Sequence, residues 1–223
     1  MEKSQLEIAC FNYESALIAQ QNGANRLELC ENMHLGGTTP NSILTVRVRE
    51  KVSIKMNVII RPRGGDFVYS EEEFEQMKQD IKQLKKLGVD GFVFGILNDD
   101  GSVNKKQNKE LIHLAGSLPC TFHRAFDFVR NVEQSLEDVI ECGFKTILTS
   151  GQGRNAAEGI LILEKIQKVA RDRIVIMPGG GLRSSNIQLL QEKLKPTFYH
   201  SSAITDDTET PDPIEIKALL SDM

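Results

Sequence analysis

Short apolar, β-rich runs alternate with longer amphipathic stretches from one end of the chain to the other. The alternation predicts strands at 5–11, 26–30, 55–61, 91–97, 120–126, 146–150, 174–178 and 198–203. Between them, helical periodicity predicts helices at 13–22, 40–50, 71–87, 105–116, 132–142, 156–171 and 184–193. The boundaries carry matching signals. Thr39-Pro40 places a proline at a first helical position, Ser70 precedes the acidic turn Glu71-Glu72-Glu73, and Gly23, Gly88 and Gly143 follow helical runs as terminating glycines do. Eight β/α units with no composition break predict an α/β fold, a single-domain (β/α)8 TIM barrel over residues 1–223. A doubly wound open sheet is the alternative. The barrel is preferred because polar residues follow nearly every strand instead of gathering near one switch point.

Those polar residues obey a parity. Along a strand, alternate side chains share a face, so Glu28 stands with Cys30, Arg61 with Asn57 and Ile59, His200 with Phe198 and Ser202, and His123 with Asp127. One parity of a barrel faces the lumen and the other packs under the helices. The outer layer is apolar helix, so the polar parity is assigned to the lumen. Glu7, Glu28, Arg61, His123, Asp127 and His200 are thereby expected around one pocket at the strand C-termini. The bland reading is a set of lumenal ion pairs filling a small barrel. The functional one makes His123 a general base and Arg61 a clamp for a carboxylate or oxyanion.

Two loops extend the candidate site. Gly179-Gly180-Gly181 ends the seventh strand ahead of a helix starting near Ser184, where bare amide groups can hold phosphate, and Thr149-Ser150-Gly151 would form the adjoining wall. The long stretch 61–70, Arg61-Pro62-Arg63-Gly64-Gly65-Asp66-Phe67-Val68-Tyr69-Ser70, reads either as a lid with glycine hinges or as a rigid loop stitched by its arginines.

Composition narrows the classes. The 223 residues carry a net charge of −4 and no basic stripe, which argues against nucleic acid as a partner. No apolar run is long enough to span a bilayer, and the N-terminal residues lack a signal-peptide core, so no membrane partner and a cytoplasmic location are expected. Cys10, Cys30, Cys120 and Cys142 are far apart without CxxC spacing, the pattern of free thiols.

Taken together, LEIAC (6–10), RLELCEN (26–32) with GGTTP (36–40), RPRGGDF (61–67), FVFGIL (92–97), TFHRAFD (121–127), LTSG (148–151) and GGG (179–181) resemble the CutC family, named for copper homeostasis. The resemblance covers nearly the whole chain, with Asn41 standing where serine is expected and Gln152 where glycine is. It implies a TIM barrel, a cytoplasmic location, self-association as a dimer or tetramer, and the handling of copper as Cu(I).

Cu(I) favours soft sulfur ligands, which makes Cys30 and Cys10, near the ends of adjacent strands, the candidate metal ligands. Parity opposes the pair, because Cys30 shares the lumenal face of Glu28 whereas Cys10 is opposite in parity to Glu7. The alternative to a copper-binding protein is a barrel enzyme acting on a small anionic or phosphorylated metabolite. In that case Arg61 and the 179–181 loop would hold the anion, while His123, Glu28 and Asp127 would transfer protons.

Overall fold

The computed structural model describes residues 3–223. Eight parallel strands form the barrel: β1 (Gln5–Cys10), β2 (Arg26–Leu29), β3 (Lys55–Ile59), β4 (Gly91–Phe94), β5 (Cys120–Phe122), β6 (Thr146–Thr149), β7 (Val175–Pro178) and β8 (Phe198–Ser201). Their order is β7-β6-β5-β4-β3-β2-β1-β8, so every neighbour in sequence is a neighbour in space. Among the described residues, β7 and β8 meet without a regular ladder, and the barrel is nearly closed at that seam.

The outer wall consists of α1 (Tyr13–Gln21), α2 (Ser42–Arg49), α3 (Glu71–Lys85), α4 (Lys105–Ala115), α5 (Val132–Cys142), α6 (Ile160–Ala170), α7 (Ser184–Lys193) and α8 (Pro213–Ser221). The core lies between wall and barrel. Leu6, Ile8, Leu27, Leu29, Met56, Val58, Phe92, Phe94, Phe122, Ile147 and Tyr199 point outward from the strands and are fully buried against Ala16, Val48, Met77, Ile81, Leu111, Leu136, Leu163 and Ile187 of the helices. This assigns the apolar parity to the helix side and leaves the polar parity to the lumen.

The barrel architecture is as expected, but all strands except β7 end earlier than the apolar runs suggested. The polar residues leave the ladder there and become the mouth of the barrel. The largest departure is the fifth run, expected as a strand over 120–126. It leaves the sheet after Phe122 and turns into a 3-10 helix, Arg124–Phe128, capped by His123, whose Nδ1 accepts the Ala125 amide. Phe126 is still fully buried, so the apolar rhythm that suggested strand is satisfied by a different backbone. Pro40 lies ahead of α2, which starts at Ser42 under an Asn41 cap, and α6 starts four residues later than the pattern implied. The α8 helix, with Asp212 as cap and Pro213 in its first turn, completes the wall beyond the seven helices expected.

Ser70 and Glu73 form a reciprocal capping box at the start of α3. The 62–69 loop is stitched: Arg63 reaches Glu73, Asp66 and the Val68 carbonyl, and Arg61 holds the Gly65 carbonyl. Of the two readings of that loop, the arginine-held one describes the structure.

Lumenal glycines make room for the polar side chains. A Cβ on Gly91 would lie 2.8 Å from the Pro119 carbonyl and collide with Asn57; one on Gly95 would lie 2.9 Å from His123 Nδ1; one on Gly179 would lie 3.1 Å from His200 Cβ. Gly91→Ala is expected to cost about 1–3 kcal/mol through overpacking. At this chain length, that corresponds to a fall in melting temperature of roughly 3–10 °C. A calorimetric scan showing no change would contradict the packing described.

Candidate functional site at the C-terminal mouth of the barrel

The lumen is charged from its middle upward. Glu7 on β1 is fully buried and forms an ion pair with Arg26 of β2. Its other oxygen lies 2.9 Å from His200 Nδ1 on β8. Asn57 Nδ2 on β3 also donates to it, at 3.4 Å. Arg26 lays its guanidinium over the Phe198 ring, 3.9 Å from the centroid. Register places these groups together, since Glu7 stands opposite Arg26 on one side and His200 on the other. Burial alone would raise the Glu7 pKa, yet Arg26 and His200 overcome it and bring it down to about 2. Glu7 is therefore a fixed negative charge.

One layer higher, Glu28 lies 3.6 Å from His200 Nε2. Burial pushes the Glu28 carboxyl up, His200 opposes, Glu7 adds to the rise, and the outcome is about 7. Burial opposes the charging of His200, but the bond to Glu7 and the nearby Glu28 outweigh it and raise its pKa. Glu28, facing His200, can thus take or give a proton near neutral pH at the floor of a cavity. Glu7, Glu28 and His200 also place one donor atom each within 4.8 Å of one another. That nitrogen and oxygen set is harder than Cu(I) prefers, and Glu7 is already paired with Arg26.

The cavity, about 260 Å³, opens above this layer and is lined by Glu28, Cys30, Arg61, His123 and His200, with Arg124, Gly180, Gly181 and Arg183 toward the mouth. Of its three arginines, Arg124 alone meets a carboxylate among the described residues, through Nε to Asp127 at 2.8 Å. Arg183 is held by the Leu182 and Ile204 carbonyls and the Ser201 and Ser202 hydroxyls. Arg61, almost fully buried, is held by the Leu35, Gly37 and Gly65 carbonyls. Backbone dipoles fix these two cations without neutralising them. His123, also buried, is pushed down to about 3, first by burial and then by Arg61 and Arg124. It is neutral at ordinary pH, and its occupied Nδ1 leaves the proton on Nε2. Such a histidine is a hydrogen-bond donor; it does not have the basicity expected of a general base.

Glu28, Arg61, His123 and His200 thus come together at the cavity, with Glu7 directly beneath. Asp127 does not join them. Because the chain leaves the strand at His123, the Asp127 carboxylate turns to the end of β6, where Thr149 Oγ1, the Ser150 amide and the Gln152 amide donate to it. The Thr149-Ser150-Gly151 segment, expected as an anion wall, is thereby already occupied by a carboxylate of the chain. The start of α7 is occupied as well: the Ser184 amide and hydroxyl donate to Glu215 of α8 at 2.7 and 2.8 Å. Gly179 packs against His200, while Gly180 and Gly181 do line the cavity. Arg124 and Arg183 were missed from sequence. Arg124 has outward parity if the strand is continued, and nothing in the pattern marks Arg183 as turned inward.

The thiols divide as parity indicated. Cys30 lines the cavity, with Sγ 3.8 Å from the Glu28 carbonyl. Cys10 is fully buried in the hydrophobic layer, with Sγ 3.5 Å from the Ile8 carbonyl. Burial, followed by the charge of Glu28, raises both thiols and opposes thiolate formation. Only one of the two sulfurs lines the cavity, although the two cysteines lie on adjacent strands and the charge of Cys10 bears on Cys30. Met33 is half-buried and His34 exposed in a short 3-10 turn, and neither lines the cavity.

The chain matches the CutC family over residues 4–205. It is 43% identical over 198 residues to the human protein named copper homeostasis protein cutC homolog, covering 89% of this chain and 72% of that one. A Chromobacterium violaceum protein named as a CutC family member shows the same identity over 89% and 80% of the two chains. A crystal structure described as the copper homeostasis protein CutC from Streptococcus agalactiae superposes with a TM-score of 0.85. It is 30% identical to this chain and covers 89% of this chain and 98% of that one.

The raised Glu28 carboxyl has a thermodynamic signature. Glu28 titrates from 4.5 when unfolded to about 7 when folded, so between these values the folded state holds the extra proton and stability falls as pH rises. The raised His200 acts in the same direction, its contribution being lost as pH rises through its folded pKa. Denaturant titrations between about pH 5 and 8 should show the native protein losing stability, and Glu28→Gln should flatten the slope. Parallel slopes in the two proteins would contradict the assignment.

Proposed function

The chain belongs to the CutC family, and from that premise we propose that it serves copper homeostasis through enzyme-like chemistry on a small anionic metabolite in the barrel-mouth cavity. The observation that carries this reading is the charge of the cavity wall. In a protein of net charge −4, Arg61 and Arg183 converge there with no carboxylate partner among the described residues, and Arg124 has one. Unneutralised cations in a low-dielectric cleft attract an anionic ligand and hold it through charge-assisted hydrogen bonds. On the floor, Glu28 and His200 offer proton transfer near neutral pH.

Anion recognition falls to side chains here because the backbone donors of the 149–152 segment and the α7 start are engaged by Asp127 and Glu215. The cavity suits a metabolite of a few carbons, anionic at one end and presenting an exchangeable proton to Glu28 at the other. Copper as Cu(I) is the second reading. It is favoured by the names of the relatives and by the Cys30 sulfur in the cavity wall. A cytoplasmic setting agrees with four free thiols, and among the described residues no helix is long and apolar enough to cross a membrane.

Two titrations on fully reduced protein separate the readings. Inorganic phosphate, followed by calorimetry, is expected to bind and to weaken by about tenfold or more when Arg124 and Arg183 are both replaced by Gln. Cu(I), supplied in competition with a calibrated chelator, is expected to bind weakly and to be unaffected by Cys10→Ser. Tight one-to-one Cu(I) binding abolished by Cys30→Ser, without phosphate binding, would make the cavity a copper site instead.

A further inference from the structure

Two donors in the cavity wall have nothing to donate to. Arg61 Nε and His123 Nε2 are buried and have no hydrogen-bond partner among the described residues. The residues that carry them are 5% and 4% exposed, and both line the cavity. Leaving a buried donor unpaired is costly in a folded protein, so a pair of them in one wall points to a ligand that supplies the acceptors.

Three features bring the two donors together. Arg61 follows β3 and His123 follows β5, and Gly95, just past the end of β4, leaves room for the His123 ring, since a Cβ there would lie 2.9 Å from its Nδ1. Phe67 packs against both: its ring centroid is 4.8 Å from that of His123 and 4.9 Å from Arg61 Cζ. The Arg61 charge also reaches the His123 ring, helping to hold it neutral. Tyr69 supports the cluster, its hydroxyl buried beside the Arg61 guanidinium. The remaining nitrogens of Arg61 are committed to the Leu35, Gly37 and Gly65 carbonyls, which leaves Nε as the recognition atom.

We propose that Arg61 Nε and His123 Nε2, both packed against the Phe67 ring, form a two-point recognition site for the carboxylate of a small organic acid. A planar carboxylate offers two oxygens to two flat donors on one wall, and the Arg61 cation supplies the compensating charge. To reach them, the ligand pushes the Phe67 ring aside and meets the donors out of water, where each bond is worth more. The rest of the acid then extends toward Glu28 on the floor. The assignment rests on the anionic-ligand reading and deepens it to a ligand class: a carboxylic acid, with His123 as donor and not as base.

Oxalate and inorganic phosphate serve as probes of the intact protein. Binding is measured by calorimetry, and the His123 side-chain N–H is followed in 15N-edited spectra. The expected result is that oxalate binds more tightly than phosphate and shifts the His123 Nε2–H resonance at saturation. Its affinity should fall by about tenfold or more in His123→Phe. Because the resonance shift is read on the native protein, the result stands even if the variant folds poorly. Oxalate binding that leaves His123 unmoved would overturn this site while leaving the anionic cavity in place. Phosphate moving His123 more strongly than oxalate would overturn the carboxylate assignment. No binding of either anion at millimolar concentration would overturn the site and the anionic-ligand reading together.

Discussion

Everything at this barrel mouth depends on the neutralisation of Glu7. A carboxylate at the centre of a closed lumen is tolerable only if opposite charge and hydrogen bonds replace the water it loses. Arg26 supplies the charge, Asn57 and His200 supply hydrogen bonds, and parallel register places all of them within reach. The consequences spread upward. Glu7 favours the charged form of His200, His200 faces Glu28, and Glu28, buried and beside a second carboxylate, keeps its proton to near neutrality. A structural requirement in the lower lumen is thereby converted into a titratable pair at the cavity floor.

The balance of soft and hard chemistry bears on copper. The family name and the Cys30 sulfur point to the metal, whereas the cavity around that sulfur is cationic and raises the thiol pKa by burial and by the Glu28 charge. Capturing a metal there means displacing a proton from a reluctant thiol under the eye of three arginines. An anion meets the opposite situation, with cations already in place. The two chemistries compete for the same few side chains.

Much of this was legible from the sequence for one reason: in a barrel, parity is destiny. The strand starts, the lumenal parity and the gathering of Glu7, Glu28, Arg61, His123 and His200 all follow from a period of two. Asp127 was misplaced because the same period was carried past Phe122. Buried Phe126 kept the rhythm while the backbone had already turned into a 3-10 helix. The occupation of the 149–152 amides by Asp127 and of the α7 start by Glu215 could not be read at all. Those contacts span more than twenty residues of sequence and carry no local signal. Arg183 was hidden similarly, turned inward by carbonyls of its own loop and of Ile204.

The guanidinium of Arg26, laid flat on Phe198 beneath Glu7, also shapes traffic. It fills the lumen below the chamber, whose doorway lies at the strand C-termini. A ligand held there would enter and leave past the groups that line that doorway. Residence time then rests with the few groups around that doorway, and substitutions at Phe67, Arg124 or Arg183 become changes in how long a guest stays.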